Sequence, residues 1–373
     1  MQGPGLVELV EVPVPSIGSG ELLLEMRACG LCGTDLSKIF GGEVSNGPVP
    51  LGHELVGVVA AVGKGVRRFA PGDRVAVAHH VPCGRCRHCR HGNEPMCPQF
   101  KATNIDPGGF AELVRIPAAQ VEQTAFRLPD SVTDEDGVFM EPLACALRAV
   151  KRSDVQFGDR IAVVGAGSMG LLVAQSVALR GAFPICLDLR EERLEMARAF
   201  GIENTVNVAA SEPTSALLDL TKRDGIDGAI LTAVSGPILQ ATVGALRDGG
   251  RINLFAEAAR GSSADGHAER GIPAWASEVH ETTGPLFEAR WRDEVGWERL
   301  GPDVPANRRG CASESSRVPH GCAHDAAART PPCLLMVWNN RPPHKERGSC
   351  RFAHVERCCV PHLCAFCVGA TRW

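Results

Sequence analysis

Residues 6 to 140 alternate short Val- and Leu-rich runs with Gly and Pro, as in LLLEMRACG, ELVGVVAAVG, DRVAVAHH and AELVRIP. Runs of that length bounded by turn formers predict β-strands, and no long amphipathic helix is predicted before Glu135. The pattern changes after Asp159. An apolar strand over 161–164 meets Gly165, Gly167 and Gly170, in G-x-G-x-x-G spacing, and opens an uncharged stretch that runs to Leu179. That stretch is long enough to imitate a membrane span, but its glycines divide it into strand, tight turn and helix. A second strand over 184–187 ends at Asp188, and alternation continues as helix 191–200, strand 205–208, helix 212–222, strand 228–232, helix 237–247 and strand 251–255. A β-rich lobe followed by a parallel, doubly wound sheet is the predicted architecture.

The composition shifts after Gly261. All five Trp and eight of the sixteen Cys lie beyond it, whereas Leu, Ile, Val and Phe together number only 17 there. That is below the roughly 20% expected of a packed core. A chain of 373 residues is too long for one core and fits two domains with an appendage. We expect divisions at 1–145, 146–258 and 259–373. A net charge of −4 gives no electrostatic reason to expect nucleic acid or an anionic membrane as partner. The first residues, MQGPGLVELVEVPVP, hold no basic segment followed by an apolar one, so no secretory signal is visible and a cytoplasmic location is expected.

Candidate chemistry is concentrated in cysteines. Cys83, Cys86, Cys89 and Cys97 stand in C-x-x-C-x-x-C-x₇-C spacing within a loop-forming segment of Gly, Arg, His, Asn and Pro. Short Cys-x-x-Cys steps let one loop wrap a tetrahedral zinc ion. Disulfides or free thiols compete with this reading, and the expected intracellular setting disfavours the former. Cys29-Gly-Leu-Cys32-Gly-Thr34-Asp35 and Gly52-His53-Glu54 supply a thiolate, an imidazole and carboxylates, the set that a catalytic zinc uses with one position left open. Cys29 reads as a strand residue, and Cys145 and Cys186 as core. In the glycine turn, the helix N-terminus is placed to receive a pyrophosphate, and Asp188 to hold both ribose hydroxyls. Asp188 would repel a 2′-phosphate and favours NAD, although Arg190 could accept such a phosphate.

The order C-G-T-D, then G-H-E, then four cysteines, then Glu141-Pro142-Leu143-Ala144 before a G-x-G-x-x-G turn resembles the zinc-dependent medium-chain dehydrogenases. The glutamate at 141 is similar to the polyol (sorbitol-type) and threonine dehydrogenase branch, where alcohol dehydrogenases of the classical type have cysteine. The resemblance covers residues 3–257. It implies a GroES-like β-barrel lobe carrying the catalytic zinc, followed by a Rossmann sheet that binds NAD. It further implies Cys32, His53 and Glu54 as zinc ligands, with Glu141 binding directly or holding the zinc-bound water. Thr34 matches a proton-relaying hydroxyl, Asp35 the carboxylate that orients the ligand imidazole, and His80 an active-site histidine of threonine dehydrogenases. Arg193 matches a basic residue on the adenosine ribose. The implied activity is oxidation of a secondary alcohol, a polyol or amino-alcohol, in a homo-oligomer. Zinc-free quinone-reductase relatives are disfavoured by Cys32, His53 and the four cysteines.

Relatives also begin with a short strand ahead of Gly3, so the start of this chain reads as shortened. Beyond Glu257 nothing resembles the family. A changed reading frame is one account, and an appended domain in which Cys358, Cys359, Cys364 and Cys367 bind metal is the other. So few large aliphatic side chains cannot offset the entropy of ordering more than a hundred residues. The segment 259–373 is therefore expected to be poorly ordered and the sheet to keep an open edge near Phe255. Hydrogen exchange should find fast-exchanging amides throughout 265–373; slow exchange spread along the segment would establish a true domain there.

Overall fold

The computed structural model describes residues 7–40, 51–256, 279–281 and 349–353. Its first part contains β1 (Leu9–Pro13), β2 (Leu22–Gly30), α1 (Gly33–Phe40), β3 (Glu54–Val62), β4 (Arg74–Ala78), α2 (Arg87–Arg90), α3 (Pro98–Ala102), β5 (Leu113–Ile116), α4 (Ala118–Gln123), β6 (Ala125–Arg127) and α5 (Asp134–Gly137). Five of these strands form an antiparallel sheet in the order β5-β2-β3-β4-β6. The alternation in β2 explains its placement: Leu22, Leu24 and Met26 are buried, while the residues between them are half-buried or exposed. They pack with Leu55, Val59, Val75, Val77, Val114 and Ile116 into one core.

The chain continues through α6 (Met140–Arg152), β7 (Arg160–Val164), α7 (Ser168–Leu179), β8 (Phe183–Asp188), α8 (Glu191–Ala199), β9 (Asn204–Asn207), α9 (Pro213–Leu220), β10 (Ile226–Leu231), α10 (Gly236–Gly244), β11 (Leu246–Leu254), β12 (Val279–Glu281) and β13 (Ser349–Ala353). The second sheet is parallel, ordered β12-β11-β10-β7-β8-β9. Its strand order reverses beside β7, which places the glycine turn at the switch point where dinucleotides bind in such sheets. The predicted alternation of strands and helices is present, with most boundaries moved by a few residues. No helix among the described residues is long and apolar enough to cross a membrane.

Two strands lie where none was predicted. The short β12 pairs with Ile252 to Leu254 and covers the sheet edge expected to be open, and β13 pairs antiparallel with β1. A three-residue strand needs little intrinsic propensity when an existing edge offers it backbone partners. The remaining expectation for 259–373, including the four-cysteine alternative, lies outside the described residues.

The expected division between residues 145 and 146 falls inside α6, which packs against both sheets. Met140 and Ala144 join Ala28, Val56, Ala76 and Ala78 in a core on the antiparallel side. Ala146, Ala149 and Val150 join Ile161, Val163, Val173 and Val177 on the parallel side. Buried Asn253 on β11 donates to the Ala149 carbonyl at 3.1 Å and the Ser153 hydroxyl at 3.0 Å, fixing the helix end to the sheet. Charge suits the helix: Glu141 lies in its first turn, and Lys151 and Arg152 in its last, each opposite in sign to the dipole end it meets.

The same helix grips the four-cysteine loop. Arg148 pairs with Glu94 at 3.3 Å and donates to the Gly92 carbonyl at 2.8 Å, while Arg152 donates to the Asn93 side chain at 3.2 Å. Only 11% of the Arg148 side chain and 13% of Glu94 are exposed, so breaking this pair strands a charge away from water. Arg148→Ala should destabilise the protein by about 3 kcal/mol, read as a lower denaturant midpoint at unchanged slope. Adding Glu94→Ala should restore part of the loss. An unchanged midpoint in the single variant would show that the clasp carries no stability.

Candidate active site and metal centres

Two groups of ligand side chains come together: Cys83 with Cys86, Cys89 and Cys97, and Cys32 with His53 and Glu54. Within each, the ligand atoms lie within 4.8 Å of one another. The four-cysteine loop is bent around its sulfurs by backbone contacts. The Cys83 amide donates to Cys97 Sγ at 3.4 Å, and the Cys86 amide to Cys83 Sγ at 3.3 Å. Cys83 and Cys86 place their sulfurs 4.0 and 3.5 Å from Cys89 Sγ. A thiolate tetrahedron with zinc–sulfur distances of about 2.3 Å has edges of roughly 3.8 Å. The separations therefore suit a shared ion and are far too long for disulfides, and all four cysteines are free. Amides of Arg85 and Cys86 hold the Cys83 thiol below its ordinary range, which favours the thiolate that a metal needs.

The second cluster is built where β2, α1 and β3 meet. Cys32 lies in the turn between β2 and α1, Asp35 in the first turn of α1, and His53 and Glu54 at the start of β3, which pairs with β2 through Gly30 and Glu54. Gly30 is needed here for space: a Cβ at that position would lie 2.1 Å from Glu54 Oε2. Asp35 is fully buried, accepts from the Cys32 amide at 3.1 Å and the Gly52 amide at 3.0 Å, and faces His53 Nδ1 at 3.6 Å. Burial alone would push the Asp35 carboxyl up, but the imidazole and the two amides outweigh it and hold the group below the ordinary range. This contact orients the ring, leaving Nε2 for a metal.

The electrostatics of the cluster call for a cation. Burial, then the charge of Glu141, lifts the Glu54 carboxyl to about 7. Burial likewise raises Glu141. For His53, burial opposes the charged form, yet Asp35, Cys32 and Glu141 outweigh it and raise the group well above its usual value. Raised carboxyl groups around one imidazole mean that negative charge is disfavoured there unless a cation compensates it, and a divalent ion held by thiolate, imidazole and carboxylate would supply that charge. The donor set fits zinc.

The structure distributes the remaining predicted residues around this centre. Glu141 is buried in α6 near His53 and Glu54, but it is not part of the three-ligand cluster, and the Cys145 thiol donates to it at 3.8 Å. Thr34 is exposed on α1, with its amide 3.5 Å from Cys32 Sγ. His80 donates its Nδ1 hydrogen to the Thr103 carbonyl and meets the Phe100 ring at a tilt of 47°, with ring centroids 4.8 Å apart. Cys29 lies on β2, as expected of a strand residue, and Cys145 and Cys186 are buried, as expected of core residues.

Sequence reasoning missed His79. It is buried between His53 and His80, with ring centroids 4.7 and 3.9 Å away. The signal was the His79-His80 dipeptide itself. Alternation along a strand would have turned one of the two away from the cluster, but β4 ends at Ala78 and the pair follows a looser path. The clasp from Arg148 and Arg152 was also missed, because nothing in sequence links positions more than fifty residues apart.

At the switch point, Gly165 takes a φ of +91° and Gly170 packs so closely that a Cβ would sit 1.7 Å from the Gly165 carbonyl oxygen. A Cβ on Gly167, the N-cap of α7, would meet nothing within 4 Å. Open space at a helix N-terminus beside a tight turn suits a pyrophosphate. Asp188, at the end of β8, accepts from the Ala166 amide at 2.8 Å, the Arg190 amide at 2.9 Å and the Arg193 guanidinium at 3.3 Å. The carboxylate is thus held rigidly at the mouth of the glycine turn.

An antiparallel lobe with a thiolate–imidazole–carboxylate centre, joined to a dinucleotide sheet, defines a zinc-dependent oxidoreductase. Residues 18–130 match the alcohol dehydrogenase GroES-like domain, and residues 168–266 match the zinc-binding dehydrogenase family. The chain is similar to a sorbitol dehydrogenase from Bacillus subtilis (strain 168), 34% identical over 255 residues, which are 66% of this chain and 71% of the relative. It is also similar to the L-threonine 3-dehydrogenase of Escherichia coli (strain K12), 33% identical over 253 residues, 66% of this chain and 73% of that protein. A crystal structure described as a zinc-binding dehydrogenase from Sinorhizobium meliloti 1021, bound to NADP, superposes with a TM-score of 0.62. It is 29% identical and covers 74% of this chain and 83% of that one. The chain belongs to the zinc-containing medium-chain alcohol dehydrogenase family, NAD(P)-dependent oxidoreductases acting on small alcohols.

Elemental analysis of the purified chain should give about two zinc ions per molecule. Cys86→Ser should lose one of them together with much of the folded protein, because structural zinc contributes folding energy directly. A metal-free chain with an unchanged melting transition would exclude both centres.

Proposed function

We propose that this protein oxidises a secondary alcohol of the polyol or amino-alcohol class to a ketone, with NAD as acceptor. The observation that carries the reading is the Cys32–His53–Glu54 cluster, braced by Asp35 and adjoined by buried Glu141, in the lobe that α6 ties to the glycine turn. Glutamate at 141 and the polar His79 and His80 beside the cluster favour a polar substrate over a long-chain alcohol. The sorbitol and threonine dehydrogenases among the relatives support the same class.

Cys32, His53 and Glu54 would hold the catalytic zinc, which when bound supplies Lewis-acid polarisation of an alcohol oxygen, as the dinucleotide supplies the hydride acceptor. Asp35 would keep the His53 ring in its ligating orientation. Glu141 would add negative charge at the buried side of the site. Thr34, exposed beside Cys32, would carry the substrate proton toward solvent. Cys83, Cys86, Cys89 and Cys97 would hold the structural zinc. Gly165, Gly167 and Gly170 would receive the pyrophosphate, and Asp188 and Arg193 the adenosine ribose. Two amides and Arg193 hold Asp188 in place, and a carboxylate, which accepts but does not donate, favours ribose hydroxyls over a phosphate.

The composition of 261–373 favours a second reading, a zinc- and nucleotide-binding chain with little turnover. Incubation of the zinc-loaded chain with NAD and sorbitol, threonine or butanediol separates the two. NADH formation on at least one, abolished by His53→Ala, is the expected result, and its absence with both metals bound supports the second reading. In calorimetric titrations NAD should bind more tightly than NADP. Asp188→Asn should weaken NAD by roughly tenfold and narrow the difference, since a hydrogen bond to a charged group is worth about 1.5–3 kcal/mol. Tighter binding of NADP by the unaltered chain would transfer the choice of cofactor to Arg190.

A further inference from the structure

Packed structure joins the four-cysteine loop to the second cluster. Cys97 is the N-cap of α3, and the Lys101 amide donates to its carbonyl at 3.2 Å. The helix ends at Thr103, whose amide donates to the Gln99 carbonyl at 2.9 Å. Phe100, on that helix, is buried and meets the His80 ring with centroids 4.8 Å apart. His80 lies 3.9 Å from the His79 ring, and His79 lies 4.7 Å from His53, a member of the other ligand set.

Thr103 closes this path from two sides. Its hydroxyl accepts from the Val81 amide at 2.9 Å and donates to the Phe100 carbonyl at 3.2 Å, while its own carbonyl accepts the His80 Nδ1 hydrogen. One residue thus ties the end of α3 to the backbone after β4 and sets the orientation of an imidazole. The His79 ring has no comparable anchor at Nδ1, which is enclosed without a partner, so packing between His80 and His53 decides where the ring lies. The His79 backbone is fixed independently, by the Gln120 amide at 2.9 Å from its carbonyl. At 3.6 Å from Asp35, beyond ordinary hydrogen-bond length, the His53 ring depends on packing from His79 as well.

We propose that Thr103 is a positioning residue for the reaction, which acts through His80 and His79 to hold the His53 ring in its ligating geometry. This rests on the alcohol dehydrogenase reading of that cluster. The reaction is sensitive to such support, since a misplacement of about 1 Å caused far from the chemistry can cost about a hundredfold in rate.

The test uses the zinc-loaded full chain with NAD and whichever of sorbitol, threonine and butanediol it oxidises. Thr103→Val, which keeps the branched shape and removes the hydroxyl, should lower kcat roughly tenfold or more, with KM changed by no more than about twofold. Both zinc ions should be retained, and Thr103→Ser should restore most of kcat. Thr221→Val, which removes another buried threonine hydroxyl at the end of α9, should lower the melting midpoint without changing kcat. The proposal is overturned if Thr103→Val keeps full kcat, or loses it only together with a zinc ion. It is equally overturned if Thr103→Ser is no better than Thr103→Val, or if Thr221→Val slows turnover as much. If no alcohol is oxidised, the dehydrogenase reading fails by itself, and imidazole nitrogen NMR of the zinc-loaded protein decides. Thr103→Val should then shift the His53, His79 and His80 signals and leave His88 and His91, on the four-cysteine loop, in place. An unmoved His53 signal, or movement of His88 and His91 as well, would assign Thr103 a structural role only.

Discussion

Buried negative charge is the constraint around which the site is organised. Cys32, Asp35, Glu54 and Glu141 gather about one imidazole at the margin of the antiparallel sheet, where water can solvate them only in part. Such an assembly carries its full negative charge only if something cationic compensates it; otherwise burial pushes its carboxyls toward the protonated form. His53 does so in part through Asp35, and a divalent ion completes the balance. The energetic demand of the site and its chemistry are then the same property, because the charge that neutralises the ligands is also the one that would polarise a bound alcohol.

The helix α6 carries this arrangement to the rest of the molecule. Its first turn presents Glu141 to the charged cluster, its middle is shared between two hydrophobic cores, and its arginines hold the four-cysteine loop. Asn253 fixes the far end to the parallel sheet. One rigid element thereby sets the positions of both metal centres relative to the glycine turn. The four-cysteine loop has little apolar material of its own, with short helical turns in place of a core, so a metal and the α6 clasp are what can order it.

The polar character of the site beside the cluster follows from where β4 ends. Had the strand continued past Ala78, one of the two histidines would have faced away. Instead His79 packs against His53 and His80 against His79, and they give the site a row of imidazoles where an apolar wall would suit simple alcohols.

What the sequence determined by itself is local. The four-cysteine spacing, the glycine turn followed by an acid, and the change from strand-length runs to strand–helix alternation each arise from residues close along the chain, whereas the Cys32, His53 and Glu54 set was legible only through the family resemblance. The local features could be read from spacing and periodicity because a turn, a metal loop or a helix start is specified within a few residues. The tertiary structure decided what depends on distant partners. It placed Asp35 against His53 and set Glu141 outside the three-ligand cluster. It brought Arg148 to Glu94, enclosed His79 without a partner, and laid β12 along an edge that composition had left open. The physical reason is common to these cases: burial and electrostatic pairing belong to a packed environment, and no stretch of sequence contains the environment into which it will be packed.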